Sequence, residues 1–319
     1  MSQLATGFVK LAFKLGLPVD GIVRRTAFEQ FCGGESIPQS EKVIQLLGKF
    51  HVGTILDYSV EGEKSEAGFE ETTDEIIRTI EKAHHSEHIP FCVFKVTGLG
   101  AADLLEKVGS NEALTAEDRE SLKRLRQRVN RIGERAHTGG VPVLIDAEQT
   151  WVQDAIDKMA DEMMARYNGE KAIVYNTYQM YRVDSMNNLV HDYNDALRAG
   201  YFVGAKLVRG AYMEKERERA DEHGYESPIF PDKAATDKAF NDALEFCVDN
   251  LNRIYLMCGS HNDVSNALLA RRMAEKDVVP HDKRVWFAQL YGMSDNISFN
   301  LARAGYNVVK YVPYGPVKA

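Results

Sequence analysis

The sequence predicts an α/β chain folded as a (β/α)8 barrel, and three observations carry that expectation. Eight short apolar runs rich in β-branched residues recur between residues 54 and 314. Each of the first seven is followed by a segment of helical periodicity. No G-x-G-x-x-G turn follows the first run, which weighs against a doubly wound open sheet, the next best fold. No linker or internal repeat divides the chain. Residues 1–50 therefore read as an N-terminal helical segment and residues 51–319 as one barrel.

In chain order, residues 1–50 read as helical turns broken at Cys32-Gly33-Gly34, with a short helix over 38–50. The first 25 residues are basic, Asp20 being their only acid, and Phe8, Leu11 and Leu15 fall at helical spacing. That pattern suits a helix packed on the barrel first, and a peripheral or targeting helix second. Strand one is 54–60, followed by a helix over 69–87 with Ile76, Ile77, Ile80 and Ala83 on one side. Strand two is 91–97. Thr115 with Asp118 three residues on resembles a capping box. It opens a long helix with Leu122, Leu125, Val129, Ile132 and Ala136 inward and Arg- and Glu-rich faces toward solvent. Strand three is 141–147, and the helix over 151–167 carries a core stripe of Trp151, Ala155, Met159, Met163 and Tyr167. Strand four is 172–178. The helix over 180–199 is expected to turn Val183, Met186, Val190, Tyr193 and Leu197 inward.

Strand five, 202–208, is interrupted by Lys206 and ends in Arg209-Gly210. A charged helical run follows, and 219–231, with Gly224, Pro228 and Pro231, reads as a surface loop. The helix over 232–251 carries Phe240, Ala243, Leu244 and Cys247. Strand six is 254–259, with a helix over 262–277. Strand seven is 285–290, with a short helix over 295–304. Strand eight is 308–314, and the sequence ends at Ala319 without room for an eighth helix.

The chain has 319 residues, 44% of them hydrophobic, and a net charge of −8. The acidic balance points away from nucleic acid. No apolar run approaches the roughly 20 residues of a membrane span. The four cysteines are far apart without metal spacing and read as reduced core thiols of a cytosolic-type compartment.

Active sites of such barrels lie at the C-terminal ends of the strands. The polar residues expected there are Asp57, Tyr58, Lys95, Asp146, Glu148, Tyr178, Gln179, Lys206, Arg209, Tyr212, Ser260, His261, Asn262, Gln289, Tyr291, Tyr311 and Tyr314. Singly, each has a bland reading: Asp146 or His261-Asn262 as helix caps, Lys95 as a paired core charge. Together they are harder to explain without a site. A single histidine leaves a three-ligand zinc site unsupported, so no metal is expected. No nucleophile triad is apparent. Lysines on barrel strands allow a Schiff-base aldolase. The cluster also suits a flat, anionic redox cofactor, because a cation near a flavin ring stabilises its reduced form.

Seven motifs, in order along residues 54–319, resemble the proline dehydrogenase family. They are Phe94-Lys95, Ile145-Asp146-Ala147-Glu148, Tyr178-Gln179, Lys206-Leu-Val-Arg-Gly-Ala-Tyr212, Ser260-His261-Asn262, Phe287-Ala-Gln-Leu-Tyr-Gly-Met293 and Lys310-Tyr311-Val-Pro-Tyr-Gly315. The resemblance, closest to stand-alone members, implies a distorted (β/α)8 barrel binding FAD. It implies oxidation of L-proline to Δ1-pyrroline-5-carboxylate, with electrons passing to a quinone through peripheral membrane contact. The implied location is the cytoplasm or the face of an inner membrane, mitochondrial in a eukaryote. It places Asp146 and Lys206 at the chemistry, Lys206 standing where many members have an arginine. It places Lys95, Tyr212, Leu290 and Tyr311 around the substrate. Ala147, Gln179, Val208, Arg209, Gly210, Ala211, Ser260, His261, Asn262 and Gln289 fall at flavin-contacting positions. The tyrosine at 311 goes with proline rather than hydroxyproline use. The family's last helix carries a Tyr-x-x-Arg-Arg-x-x-Glu-Asn motif whose arginines clamp the substrate carboxylate, and this sequence stops before it.

Overall fold

A computed structural model describes residues 30–58 and 65–316. All eight expected strands form one closed parallel barrel in sequence order, β8 pairing with β1. They are β1 (Val52–Tyr58), β2 (Phe91–Phe94), β3 (Val143–Ile145), β4 (Val174–Gln179), β5 (Val203–Val208), β6 (Ile254–Gly259), β7 (Val285–Leu290) and β8 (Val308–Tyr314). Ten α-helices are described: α1 (Ile37–Gly48), α2 (Glu66–His84), α3 (Ala102–Gly109), α4 (Ala116–Gly139), α5 (Thr150–Tyr167), α6 (Ser185–Ala199), α7 (Met213–His223), α8 (Lys233–Asp249), α9 (Asp263–Glu275) and α10 (Asp295–Arg303).

Strand residues alternate between the two faces of the sheet. One set fills the barrel interior, among them Ile55, Phe91, Val93, Leu144, Tyr175, Met257, Ala288 and Val309. The other set, with Leu56, Cys92, Ile145, Tyr178, Leu207, Cys258 and Phe287, packs against the helices in the larger core. Ile44 and Leu47 of α1 join that larger core, and Gly34 makes a parallel bridge to Tyr314. The basic stretch over residues 1–25 lies outside the described residues.

The expected capping box at Thr115 and Asp118 is present. So are the apolar stripes of α2, α4, α5 and α8. Four expectations need correction. β2 stops at Phe94 and continues as a 3-10 turn, Val96–Gly98. β3 spans only Val143–Ile145, its start set by Pro142, which has no N–H to give to a ladder. The helix after β4 starts at Ser185 and buries Leu189, Asp192 and Ala196, leaving Val183 and Leu197 exposed. The cause is polar: Tyr178 donates to Asp192 at 2.7 Å, which turns that carboxylate toward the sheet. Finally, α7 runs through residues 219–223, expected as loop, and stops at Gly224, whose left-handed φ of 68° suits a helix terminus.

The Arg-rich side of α4 is not wholly solvated either. Arg128 is 2% exposed, donating to Glu70 at 2.7 Å, to the Leu99 carbonyl at 2.9 Å and to Glu66. This guanidinium fork fastens α4 to α2.

Behind β4, α5 and α6 enclose three carboxylates. Asp157 accepts from Gln153 and Asn176, whereas one oxygen of Asp161 is buried with no partner among the described residues. Burial, reinforced by Asp192 and Asp157, pushes Asp161 up to about 8, and burial pushes Asp157 up to about 6. A carboxyl raised on folding favours the fold fully below its unfolded pKa near 4. That advantage is lost as pH rises through the folded value. Thermal melts should therefore show Asp161→Asn gaining about 2–4 °C at pH 8.5, the shift that ~1 kcal/mol produces in a chain of this size, and almost nothing at pH 5. An equal gain at both pH values would refute a protonated Asp161.

Candidate active site

The interior alternation that buries apolar residues lower in the barrel brings polar ones to its C-terminal mouth. Asp57 lies two residues beyond Ile55, Lys95 two beyond Val93 and Asp146 two beyond Leu144. Lys206 lies two beyond Gly204 and Tyr311 two beyond Val309. All five share the inward parity. Asp146 receives both lysines: Lys95 Nζ donates to Oδ2 at 2.8 Å, and Lys206 Nζ donates to Oδ1. Lys206 also donates to the Tyr311 hydroxyl at 2.8 Å. The Lys206 side chain is 6% exposed and that of Lys95 29%, so Lys95 is the cation open to an entering ligand.

Burial would raise the Asp146 carboxyl, but Lys206 and Lys95 outweigh it and hold it at about 2. Asp146, against the opposing cost of burial, raises Lys95 well above an ordinary lysine, with Asp57 adding to the effect. Lys206 moves down because its desolvation exceeds the attraction of Asp146. Burial lifts the Tyr311 phenol far above 10, so it stays protonated.

Around this cluster the strand tips are clasped to one another. The main-chain N–H of Thr97 donates to Glu148 at 3.1 Å and its hydroxyl donates to the same carboxylate. Gln179 Nε2 donates to the Glu148 carbonyl at 2.7 Å. Thr150, opening α5, donates from N–H and hydroxyl to the buried Glu216 of α7 at 2.8 and 2.6 Å. These clasps were not anticipated, because pairs such as Thr150 and Glu216 carry no sequence spacing that joins them.

Several residues expected at the cofactor also have partners within the protein. Arg209, of outward parity, donates to Asp237 at 2.7 Å, Ser260 at 2.8 Å and Ser265 at 2.9 Å, and lies 4.4 Å from the centre of the Phe240 ring. Gln289 is 1% exposed, donating to the Ser260 carbonyl and accepting from Ser298. Asn262 caps α9, accepting from Ser265 N–H at 3.0 Å. His261 is engaged at both ring nitrogens, by Ser294 and by the Leu290 N–H. Ala147 and Val208 are partly buried at their strand tips, and Ala211 and Leu290 are exposed. The structure thus joins Lys95, Asp146, Lys206 and Tyr311 directly, with the others in a surrounding frame.

Beside the β5–α7 turn lies a cleft of about 560 Å3, lined by Tyr181, Arg209–Lys215, Arg217, Ile229, Phe230, Asp232, Lys233 and Thr236. Gly210 holds a φ of 140°, and a Cβ there would sit 2.5 Å from the Tyr181 ring, so only glycine brings the turn this close. Arg209, Lys215, Arg217 and Lys233 outnumber Glu214, Asp232 and Asp237, the last of which pairs with both Arg209 and Lys233. Cationic rim, aromatic walls and size suit a phosphorylated, flat cofactor.

A (β/α)8 barrel with paired ionic groups at its mouth and a cationic cleft beside it has the layout of barrel enzymes that act on small charged substrates. The sequence profile of the proline dehydrogenase family matches residues 40–319. The chain belongs to the proline dehydrogenase family. It is 35% identical over 363 residues to proline dehydrogenase 1, mitochondrial, of Dictyostelium discoideum, covering 100% of this chain and 64% of that protein. It is 44% identical over 206 residues to the Homo sapiens protein of that name, covering 64% of this chain and 34% of the relative. The carbapenem antibiotics biosynthesis protein CarD of Pectobacterium carotovorum subsp. carotovorum is 32% identical over 287 residues, 90% of this chain and 74% of that one. The chain therefore spans between a third and two thirds of the first two relatives. In structure it matches proline utilization A of Bdellovibrio bacteriovorus with a TM-score of 0.80 at 21% identity, covering 91% of this chain and 31% of that one, a likeness of fold.

Removing the central carboxylate should cost more than any surface pair. Asp146→Asn leaves two lysines without their shared partner, and should lower the unfolding free energy at pH 7 by about 3–5 kcal/mol in denaturant melts. Asp146 is depressed on folding, from 3.8 to about 2. Its contribution is thus full above pH 4 and fades as pH falls toward 2, and the gap between variant and parent should narrow accordingly. A gap that holds constant down to pH 3 would mean the cluster is solvated.

Proposed function

We propose that this chain oxidises L-proline to Δ1-pyrroline-5-carboxylate with bound FAD, electrons then passing to a membrane quinone. The Lys95–Asp146–Lys206 cluster at the barrel mouth carries the reading. The family assignment sets the Schiff-base aldolase alternative aside. The residues present fit the cofactor: the cleft at the β5–α7 turn offers cationic Lys215, Arg217 and Lys233 for its phosphates. The turn Arg209–Tyr212 and the β6 tip at Ser260 and His261 would flank it. When bound, the flavin supplies the hydride acceptor.

The chain's own residues do the rest. Lys95, the open cation, meets the substrate carboxylate. Cations Lys95 and Lys206 stand against anions Asp146 and Asp57, an arrangement of both signs that suits an amino acid arriving as a zwitterion. Asp146, held at about 2, stays a carboxylate beside the arriving ammonium and is too weak a base to keep its proton, which passes to solvent before the amine reacts. Tyr311, its hydroxyl held by Lys206 and its ring within the barrel's inner cluster, walls the pocket and orients the substrate ring. No helix among the described residues is long and apolar enough to cross a membrane, so a quinone would be met from the membrane surface.

Two measurements test this reading. The chain reconstituted with FAD should retain a visible flavin spectrum that bleaches on anaerobic addition of L-proline. A chain that binds no flavin refutes it. Tyr311→Ser should narrow the preference for L-proline over 4-hydroxyproline by about 1–3 kcal/mol in kcat/KM, the worth of one group in an apolar pocket. A parent that prefers hydroxyproline would instead establish the second substrate.

A further inference from the structure

The turn between β7 and α10, residues 290–295, is held by a group to which the chemistry above gives no part. Lys310 sits on β8 between the inward residues Val309 and Tyr311, so its side chain leaves the barrel on the outer side, where it is 0% exposed. A lysine ammonium has three hydrogens to donate. All three find acceptors in this one turn: the carbonyl of Leu290 at 3.3 Å, the carbonyl of Met293, and Asp295 Oδ1 at 2.8 Å. A buried cation is costly unless it is so paired, and a neutral side chain of equal length would leave two carbonyls without this donor.

The opposite side of the turn rests on β6. The Leu290 N–H points to His261 Nε2 at 3.4 Å, and His261 Nδ1 lies 2.9 Å from Ser294 Oγ. An accepting Nε2 puts the proton on Nδ1, which then donates to the serine, so the imidazole is neutral. The turn's own backbone does not favour this shape. Gly292 and Ser294 hold φ values of 74° and 52°, and a Cβ on Gly292 would lie 2.3 Å from the Gln30 carbonyl oxygen. A serine in that region stores strain that its surroundings must hold.

The turn carries an apolar group to the mouth. Leu290 has inward parity, pairs in register with Tyr311, and is 45% exposed. We infer that Lys310 is a positioning residue: its ammonium clamps residues 290–295 so that Leu290 stands beside Tyr311 as a wall of the substrate pocket. The wall rests on the functional reading given above, whereas the clamp rests on the geometry of the turn alone.

The test uses the full chain and the variants Lys310→Met, Lys310→Arg and Asp295→Ala. The last removes one exposed partner and guards against a methionine variant that fails to fold. Hydrogen exchange is followed at the Leu290, Tyr291 and Met293 amides and, as a control, at β4 and β5. Proline kinetics are measured on the FAD-loaded protein. With Lys310→Met, exchange in the turn should accelerate at least ~10-fold while β4 and β5 stay protected. KM for proline should rise by about 10-fold with a smaller change in kcat. Lys310→Arg should recover part of both effects, and Asp295→Ala should show the same local pattern more weakly. Uniform acceleration across the barrel, or an unchanged turn, overturns the clamp. A loosened turn with an unchanged KM overturns the wall. A parent chain without turnover would count against the functional reading, and with it the wall, while exchange still decides the clamp.

Discussion

The site depends on one carboxylate shared by two ammonium groups. Asp146 stands at the end of β3, Lys95 at the end of β2 and Lys206 inside β5, and none of the three is cheap to bury alone. Lys206 further holds the Tyr311 hydroxyl on β8. Four strands of the barrel are thereby tied through one polar knot where the apolar interior ends. The knot holds opposite charges a few ångströms apart where they are largely sheltered from solvent. Interactions between such charges are stronger there than in water.

Outside the knot, further polar residues hold the loops to one another. Glu148 is clasped by Thr97, Glu216 by Thr150, and Arg209 by Asp237, Ser260 and Ser265. Lys310 serves the β7–α10 turn in the same manner. Each buried charge there has partners from a different element, so the frame stays rigid although the tips themselves are loops. Parity separates some of them: Lys206 and Tyr311, of inward parity, meet at the mouth, whereas Arg209, Gln289 and Lys310, of outward parity, meet helices and the β7–α10 turn.

Much of this was legible from residue order. Alternation and helical spacing gave the strand count, the core stripes of α2, α4, α5 and α8, and the capping box at Thr115. The motifs named Lys95, Asp146, Lys206 and Tyr311, which the structure brings together. Reading failed where a polar residue took an apolar residue's place. Helix α6 buries Asp192 and leaves Leu197 exposed, because the Tyr178 hydroxyl lies beneath Asp192. Helix α4 buries Arg128, because Glu66, Glu70 and the Leu99 carbonyl converge on it. Neither partner set is visible along the chain.

The sequence by itself determined the barrel, its strand order and the identity of the charged residues at its mouth, since periodicity and composition are local properties of the chain. It could not determine which charges pair. Lys95 and Lys206 lie 51 and 60 residues from Asp146, and Lys206 lies 105 from Tyr311. Only closure of the barrel makes them neighbours. Tertiary structure also decided that Gln289, Asn262 and Arg209 have partners within the protein and that Lys310 belongs to a turn rather than to the mouth. Those outcomes turn on which side of a strand each residue occupies and what waits there, and a shift of one residue along the strand exchanges the two sides.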